Sequence, residues 1–273
     1  MNETPSAAPP SSGSALARTL NIFFLALVHS SLFFVLVVPF SWSLVLLWAI
    51  SHFGRILGIT LAFHRHLAHG AFEMGRVTRF SWAWVATSAM QTGPLWWAGT
   101  HADHHRYADR EGDPHSPRLR GFLGAHVGWI LDGTSAGSVS PDNPVVRRFA
   151  RYPEIRFLER FYYVPPLLLA VGLFAVGGWP WLVWGFGLAT TTAFHATFAI
   201  NSVNHLWGTR RFATPDDSRN NLATALLALG EGWHNNHHRY PLAARNGFYW
   251  WELDATWWEI GRASCRERVS KQV

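Results

Sequence analysis

Four apolar runs, almost free of charge, set the first constraint on this chain. They cover residues 21–40, 42–63, 161–178 and 180–202, and the only formal charge in any of them is Arg55. A helix needs about 20 such residues to cross a bilayer, where hydrocarbon satisfies no open backbone N–H or C=O group. The runs come as two pairs, each joined by a short uncharged turn, "PFSW" and "GGWP". The expectation is an all-α membrane protein with four transmembrane helices in two hairpins. Charged residues make up only 15% of the chain, against about 25% in a soluble domain. Yet the mean hydropathy is just +0.04, so a polar, helical cap must balance the spans.

Orientation follows from arginine placement. Arg18 precedes the first run, many arginines lie within 64–160, and Arg210, Arg211 and Arg219 follow the last run, whereas the turns carry none. The positive-inside rule puts both termini and the 64–160 segment in the cytoplasm, and a bacterial inner membrane is the expected location. The net charge is +6 with Lys271 as the single lysine. No Lys/Arg-rich run exists, so the charge points to anionic lipid rather than to nucleic acid. The apolar stretches at 80–92 and 121–131 are too short to span. Residues 141–160 read as a loop followed by a basic amphipathic helix at the membrane surface. Cys265 is the sole cysteine, so no internal disulfide forms. Residues 1–19, rich in Pro and Ser at their start, read as a disordered tail. "IGRASCRERV" at 260–269 reads as a translated sequencing adapter, so 260–273 is expected to be non-native and 20–259 to be the folded domain.

Nine of the 15 histidines gather just past the ends of the apolar runs. His64 and His69 follow the second run, and His101, His104 and His105 form an HxxHH pattern. His205 follows the fourth run, and His234, His237 and His238 form a second HxxHH. On an α-helix, positions i, i+3 and i+4 share a face, so each HxxHH aims three rings into one volume. Asn201 and His205 share a face in the same way. His64 and His69, five apart, stand about 140° around an α-helix and would straddle a site, reaching for different atoms. Nine imidazoles exceed the capacity of one metal ion, whereas two ions with four or five ligands each would use them. Imidazole alone suits Zn, Cu, Fe or Ni. The set contains no carboxylate, unlike the carboxylate-rich di-iron bundles. His29, His52 and His195 lie inside apolar runs and read as satisfied packing residues. His66, His115 and His126 read as structural, or as hydrogen-bonding supports behind the ligands.

These residues resemble the membrane fatty acid desaturases. "HRHLAH", "HADHH" and "HNNHH" match the three histidine motifs, and "NSVNH" matches the fourth element. "GDPHSP…GFLGAHVGWIL" and "GEGWHNNHHRYPLAARNGFYWWELD" are most similar to bacterial and cyanobacterial Δ9 desaturases of acyl-lipid and acyl-CoA type. The resemblance covers about Leu61 to Trp258. It implies four spans and a di-iron centre on His64, His69, His101, His104, His105, His205, His234, His237 and His238, with Asn201 joining through a water. It also implies O2 as co-substrate, a membrane lipid or acyl-CoA as substrate, and a separate electron donor: a ferredoxin, a cytochrome b5-like protein or a reductase. The implied reaction places a cis double bond, Δ9 by resemblance, in a saturated acyl chain. Two features depart from the pattern: the extra His66, and "DGTSAG" where animal acyl-CoA desaturases carry basic residues.

Removing hydrogen from an unactivated methylene needs a strong oxidant, which iron with O2 can supply and redox-inert zinc cannot. Asp113, Glu231 and Asn235 are candidates to orient imidazoles from behind. Trp96, Trp97, Trp129 and Trp233 are candidate walls of an acyl tunnel, and Arg147, Arg148 and Arg151 candidate headgroup contacts. Two other readings stand beside this one: a hydroxylase of the same superfamily, of alkane or carotenoid type, and a haem-binding membrane electron carrier. A zinc site is a third.

Overall fold

The computed structural model describes residues 12–133, 139–140 and 142–263. Helix α1 (Ser12–Val35) begins inside the stretch read as a disordered tail. Residues 1–11 lie outside the described residues, as do residues 264–273 of the stretch read as non-native. Ile260 is fully buried against Leu61, Phe72 and Ala244, so the folded chain runs past the 259 boundary.

After α1, Pro39 stops the chain from continuing as helix. Ser41 then caps α2 (Trp42–Gly58) by accepting the Leu44 N–H, the usual role of a serine at a helix start. At Ile59 α2 widens into a π-helix, Ile59–Ala68. Helices α3 (Arg76–Thr87) and α4 (Pro94–Tyr107) pack on that π-helix. Next come α5 (Pro117–Leu123), a π-turn (Gly124–Gly128) and α6 (Trp129–Leu131). The segment expected as one amphipathic helix is two, α7 (Pro144–Phe149) and α8 (Pro153–Arg160), because Pro153 ends one helix and starts the other. Ile155 and Leu158 of α8 are fully buried beside Phe63 and Leu95. Truncating such a residue costs about 2–5 kcal/mol, so α8 is bolted to the cap rather than floating on lipid.

Helix α9 (Val164–Trp181) runs through a π-segment (Leu182–Leu188) into α10 (Ala189–Ser202). Three helices are long and apolar enough to cross a membrane, Arg18–Val35, Trp42–Ala68 and Val164–His205, where four separate runs were expected. The third spans 42 residues and reverses on itself at Gly178, whose φ of 62° and ψ of −153° leave the helical region. A methyl on Gly185 would sit 3.2 Å from Leu173, although residues twelve apart on a straight helix lie about 18 Å apart. The two halves therefore run side by side. Short helices α11 (Leu222–Leu227), α12 (His234–Arg239) and α13 (Ala255–Ala263) complete the cap.

Arg55 is buried within the second span, an expensive place for a charge unless its donors are met. Its guanidinium donates to the Ser51 and Ser88 carbonyls and to Thr190 Oγ1, joining α2 to α10. Phe33 (74% exposed), Leu36 and Val176 face outward in the absence of lipid, which fits a bilayer-facing surface.

Candidate metal centre

The nine rings converge into two adjoining clusters. His64, His69, His101, His105 and His237 form one, and His104, His205, His234 and His238 the other; within each cluster the ligand atoms lie within 4.8 Å of one another. The clusters meet where the His105 and His238 rings stand 4.4 Å apart. Helix α4 and helix α12 each feed both, because each HxxHH splits its rings between them. His64 and His69 do not straddle the site as expected but enter the same cluster. The reason is the π-helix, in which bonds run i to i+5: the His69 N–H donates to the His64 carbonyl at 3.1 Å, and residues five apart share a face.

The ring nitrogens fit metal ions. His64 Nδ1 lies 2.6 Å from Glu231 and carries the proton, so its Nε2 is a bare lone pair; that Nε2 sits 3.0 Å from His237 Nε2. His205 Nδ1 likewise donates to Asp109 at 2.8 Å, and its Nε2 lies 3.1 Å from His234 Nε2. His238 gives its Nδ1–H to Asp216 at 3.0 Å, and its buried Nε2 has no hydrogen-bond partner among the described residues. His69, His101, His105 and His237 make further Nε2–Nε2 approaches of 2.9–3.0 Å. Nitrogens about 2.1 Å from one divalent ion, at right angles, stand about 3.0 Å apart. Burial first, and neighbouring imidazoles second, push His69, His101, His105, His234, His237 and His238 well below the ordinary imidazole pKa. The rings are therefore neutral and ready to ligate at pH 7.

Carboxylates stand behind four rings. Asp113 accepts from His104 Nδ1 at 3.0 Å and also caps the turn at the Asp109 and His115 N–H groups. Glu231 holds His64 and the Arg65 guanidinium. Burial alone would raise both carboxyls, but His104 at Asp113, and His64 with Arg65 at Glu231, hold them below the usual carboxylate range. Asp109 and Asp216 play the same part for His205 and His238, and the sequence reading missed them. Among the described residues Asn235 hydrogen-bonds to no imidazole: its Oδ1 accepts from the Arg211 and Phe212 N–H groups and its Nδ2 donates to the Phe212 carbonyl. It pins the loop that carries Asp216.

A cavity of about 710 Å³, lined chiefly by apolar side chains from α1, α4, α9 and α10, has His101 and Asn201 in its wall. Trp96 and Trp129 stack in its wall, 6.2 Å apart and 8° from parallel. Trp97 lines it and stacks on the His101 ring at 5.3 Å. Trp233 does not belong to that wall; it is buried and donates to the Leu253 carbonyl at 2.9 Å. Asn201 also borders a smaller cavity with His64, His101, His104 and His234. Gln91, unforeseen from sequence, accepts from Trp97 Nε1 at 3.1 Å and donates to Thr197 at 2.9 Å. It is flanked by Met90 (φ 62°) and Thr92 (φ 67°), left-handed residues that cost about 1–3 kcal/mol each and gather at functional sites. Arg147, Arg148 and Arg151 are exposed on and just beyond α7, away from the cavity wall. His66 Nδ1 donates to the Phe72 carbonyl at 2.8 Å.

Helices long and apolar enough to cross a membrane, under a polar cap that gathers imidazoles into two adjoining groups able to hold metal ions, define the class of this fold. The chain belongs to the fatty acid desaturase family, which residues 39–271 match. It is 42% identical over 205 residues to the palmitoyl-monogalactosyldiacylglycerol delta-7 desaturase of Arabidopsis thaliana (75% of this chain, 55% of that one). It is 44% identical over 209 residues to the icosanoyl-CoA 5-desaturase of Limnanthes douglasii (75% and 58%), and 36% identical over 265 residues to the sn-2 palmitoyl-lipid 9-desaturase of Nostoc sp. (strain 36) (93% and 89%). The chain thus spans little more than half the length of the two plant relatives.

Proposed function

We propose that this chain desaturates a saturated acyl chain, carried on a lipid or on CoA, using O2 and two electrons to set a cis double bond. The observation that carries the reading is the apolar cavity whose wall includes Asn201 and His101, a ring of the five-member cluster. Two iron ions on the nine histidines, with Asn201 joining through a water, would supply the O2-dependent oxidation that an unactivated methylene requires. The chain's own residues then do the positioning. Burial keeps His69, His101, His105, His234, His237 and His238 neutral, the carboxylates fix the tautomers of His64, His104, His205 and His238, Trp97 steadies His101, and the cavity excludes water and holds the methylenes in register.

Position nine is favoured because a relative matched over 89% of its length is named as a 9-desaturase, although two plant relatives are named for positions five and seven. The fold-back at Gly178 supports four crossings, with the arginine-bearing flanks and the metal centre in the cytoplasm. Electrons would come from a separate donor protein.

Expression in a host unable to make unsaturated fatty acids tests the proposal. A cis monoene mapped by gas chromatography and mass spectrometry is the expected product. An alcohol without olefin would make the chain a hydroxylase instead, and a haem absorption band in the purified protein would favour an electron carrier.

A further inference from the structure

Three histidines that the metal centre does not use stand in a hydrogen-bonded line. His29 on α1 meets His195 on α10 through their Nε2 atoms at 3.0 Å. His195 Nδ1 meets His126 Nε2, in the π-turn, at 2.9 Å. His126 Nδ1 meets Ser202 Oγ at 2.8 Å, and at the far end His29 Nδ1 donates to the Leu25 carbonyl at 2.7 Å. All six ring nitrogens are engaged, unlike those of His52, whose Nε2 has no hydrogen-bond partner among the described residues. Ionisable residues inside spans are costly and mark proton or ion pathways.

A hydrogen count gives the line its character. Its four contacts need four hydrogens, and three neutral imidazoles supply three. The fourth has two sources. Either the Ser202 hydroxyl donates to His126, or it donates to the Phe198 carbonyl, 3.0 Å away, and one ring carries an extra proton. The line therefore holds zero or one added proton, and turning one hydroxyl switches between the states. His195 is exposed and His126 half-buried. His126 stacks on Phe122, which neighbours the exposed Trp207 just past the span. Ser202 at the inner end is fully buried and next in the chain to Asn201, which lines both cavities.

We propose that His29, His195, His126 and Ser202 form a relay that stores one proton and hands it to the cavity at Asn201. The inference rests on the desaturase reading. Forming one double bond breaks two C–H bonds and the O–O bond; the two chain hydrogens, two electrons from the donor protein and two protons from outside yield two waters. Those two protons are what the relay delivers, one per cycle of the line. The charged and titratable groups on the elements packed around it are Arg18 on the Leu131 carbonyl, His52 and Arg55 on α2, Arg118 and Arg120 with Asp217 and Asp132, and His205 on Asp109.

The test uses the full iron-loaded chain in lipid bilayers, with His195→Gln and His195→Leu. Glutamine keeps one donor and one acceptor in the line but passes no proton. Both variants should lose turnover about 10²-fold with a larger solvent deuterium effect, while KM, iron content and double-bond position stay as in the wild type. Nitrogen-15 NMR of labelled histidines should show the three wild-type rings sharing a single proton uptake that the variants lose. A His195→Gln enzyme as fast as wild type, or three rings that titrate independently, would overturn the relay. If the iron-loaded wild type makes no olefin, the desaturase reading fails, and the NMR titration still decides whether the line stores a proton.

Discussion

The two imidazole clusters differ in what stands behind them. In the four-ring cluster three rings rest Nδ1 on a carboxylate: His104 on Asp113, His205 on Asp109 and His238 on Asp216. In the five-ring cluster one does, His64 on Glu231, and Arg65 shares that carboxylate. A ring held this way is fixed in tautomer and more basic at its other nitrogen. Two positions built from the same ligand type are therefore unequal: one has fewer but stiffer and more electron-rich rings, the other an additional ring with looser backing.

Removing a ring should have the largest effect. His237 touches both His64 and His105 at 2.9–3.0 Å, and His237→Ala should abolish the olefin and lower the metal content by one ion per chain. Full activity in that variant would end the ligand assignment. Next comes Asp109→Asn, which should weaken one ion by about 10–100-fold and leave the other in place, as read by metal analysis after dialysis. If both ions leave together, the clusters are not independent. Glu231→Gln should loosen the other ion and also lower Tm, because Arg65 would keep only Asp254 as its buried ionic partner. An unchanged Tm would mean that Asp254 alone holds Arg65.

A smaller effect comes through the base that both clusters share. Glu252 accepts from Asn236 on α12 and from Arg211. Burial would raise its carboxyl, but Arg211 and the Phe248 and Tyr249 N–H groups hold it below its ordinary value. Stability from such a group is complete above the unfolded value of about 4.3 and is lost as pH falls through the folded one. The wild-type Tm should therefore drop more steeply than that of Glu252→Gln between about pH 5 and pH 3; parallel curves would remove Glu252 from the account. Arg147→Ala, exposed and remote from the cavity, should change stability by less than about 0.5 kcal/mol and leave both ions bound.

The apolar runs and the HxxHH spacing were legible because each is a local pattern with one period. His64 and His69 were misplaced because an α-helical period was applied to a π-helix, which no residue type in "ITLAFHRHLA" announces. Asp113 was found nine residues from its ring, while Asp109 lies 96 residues from His205, a distance only the fold closes. Trp233 and Asn235 were chosen for standing next to His234, but consecutive helical residues point about 100° apart. His29 and His195 read as isolated packing residues, and His126 as structural or as a support behind the ligands, because their line is assembled from three elements.

The π-helical segment also bears on how this chain can vary. From Ile59 to the capping His69 a single stretch of backbone aims His64 and His69 at one cluster, and Arg65 at Glu231 and Asp254. Substitution at one position disturbs one partner, whereas deleting a residue rotates every aim at once. Length, more than chemistry, is the property this segment has to keep.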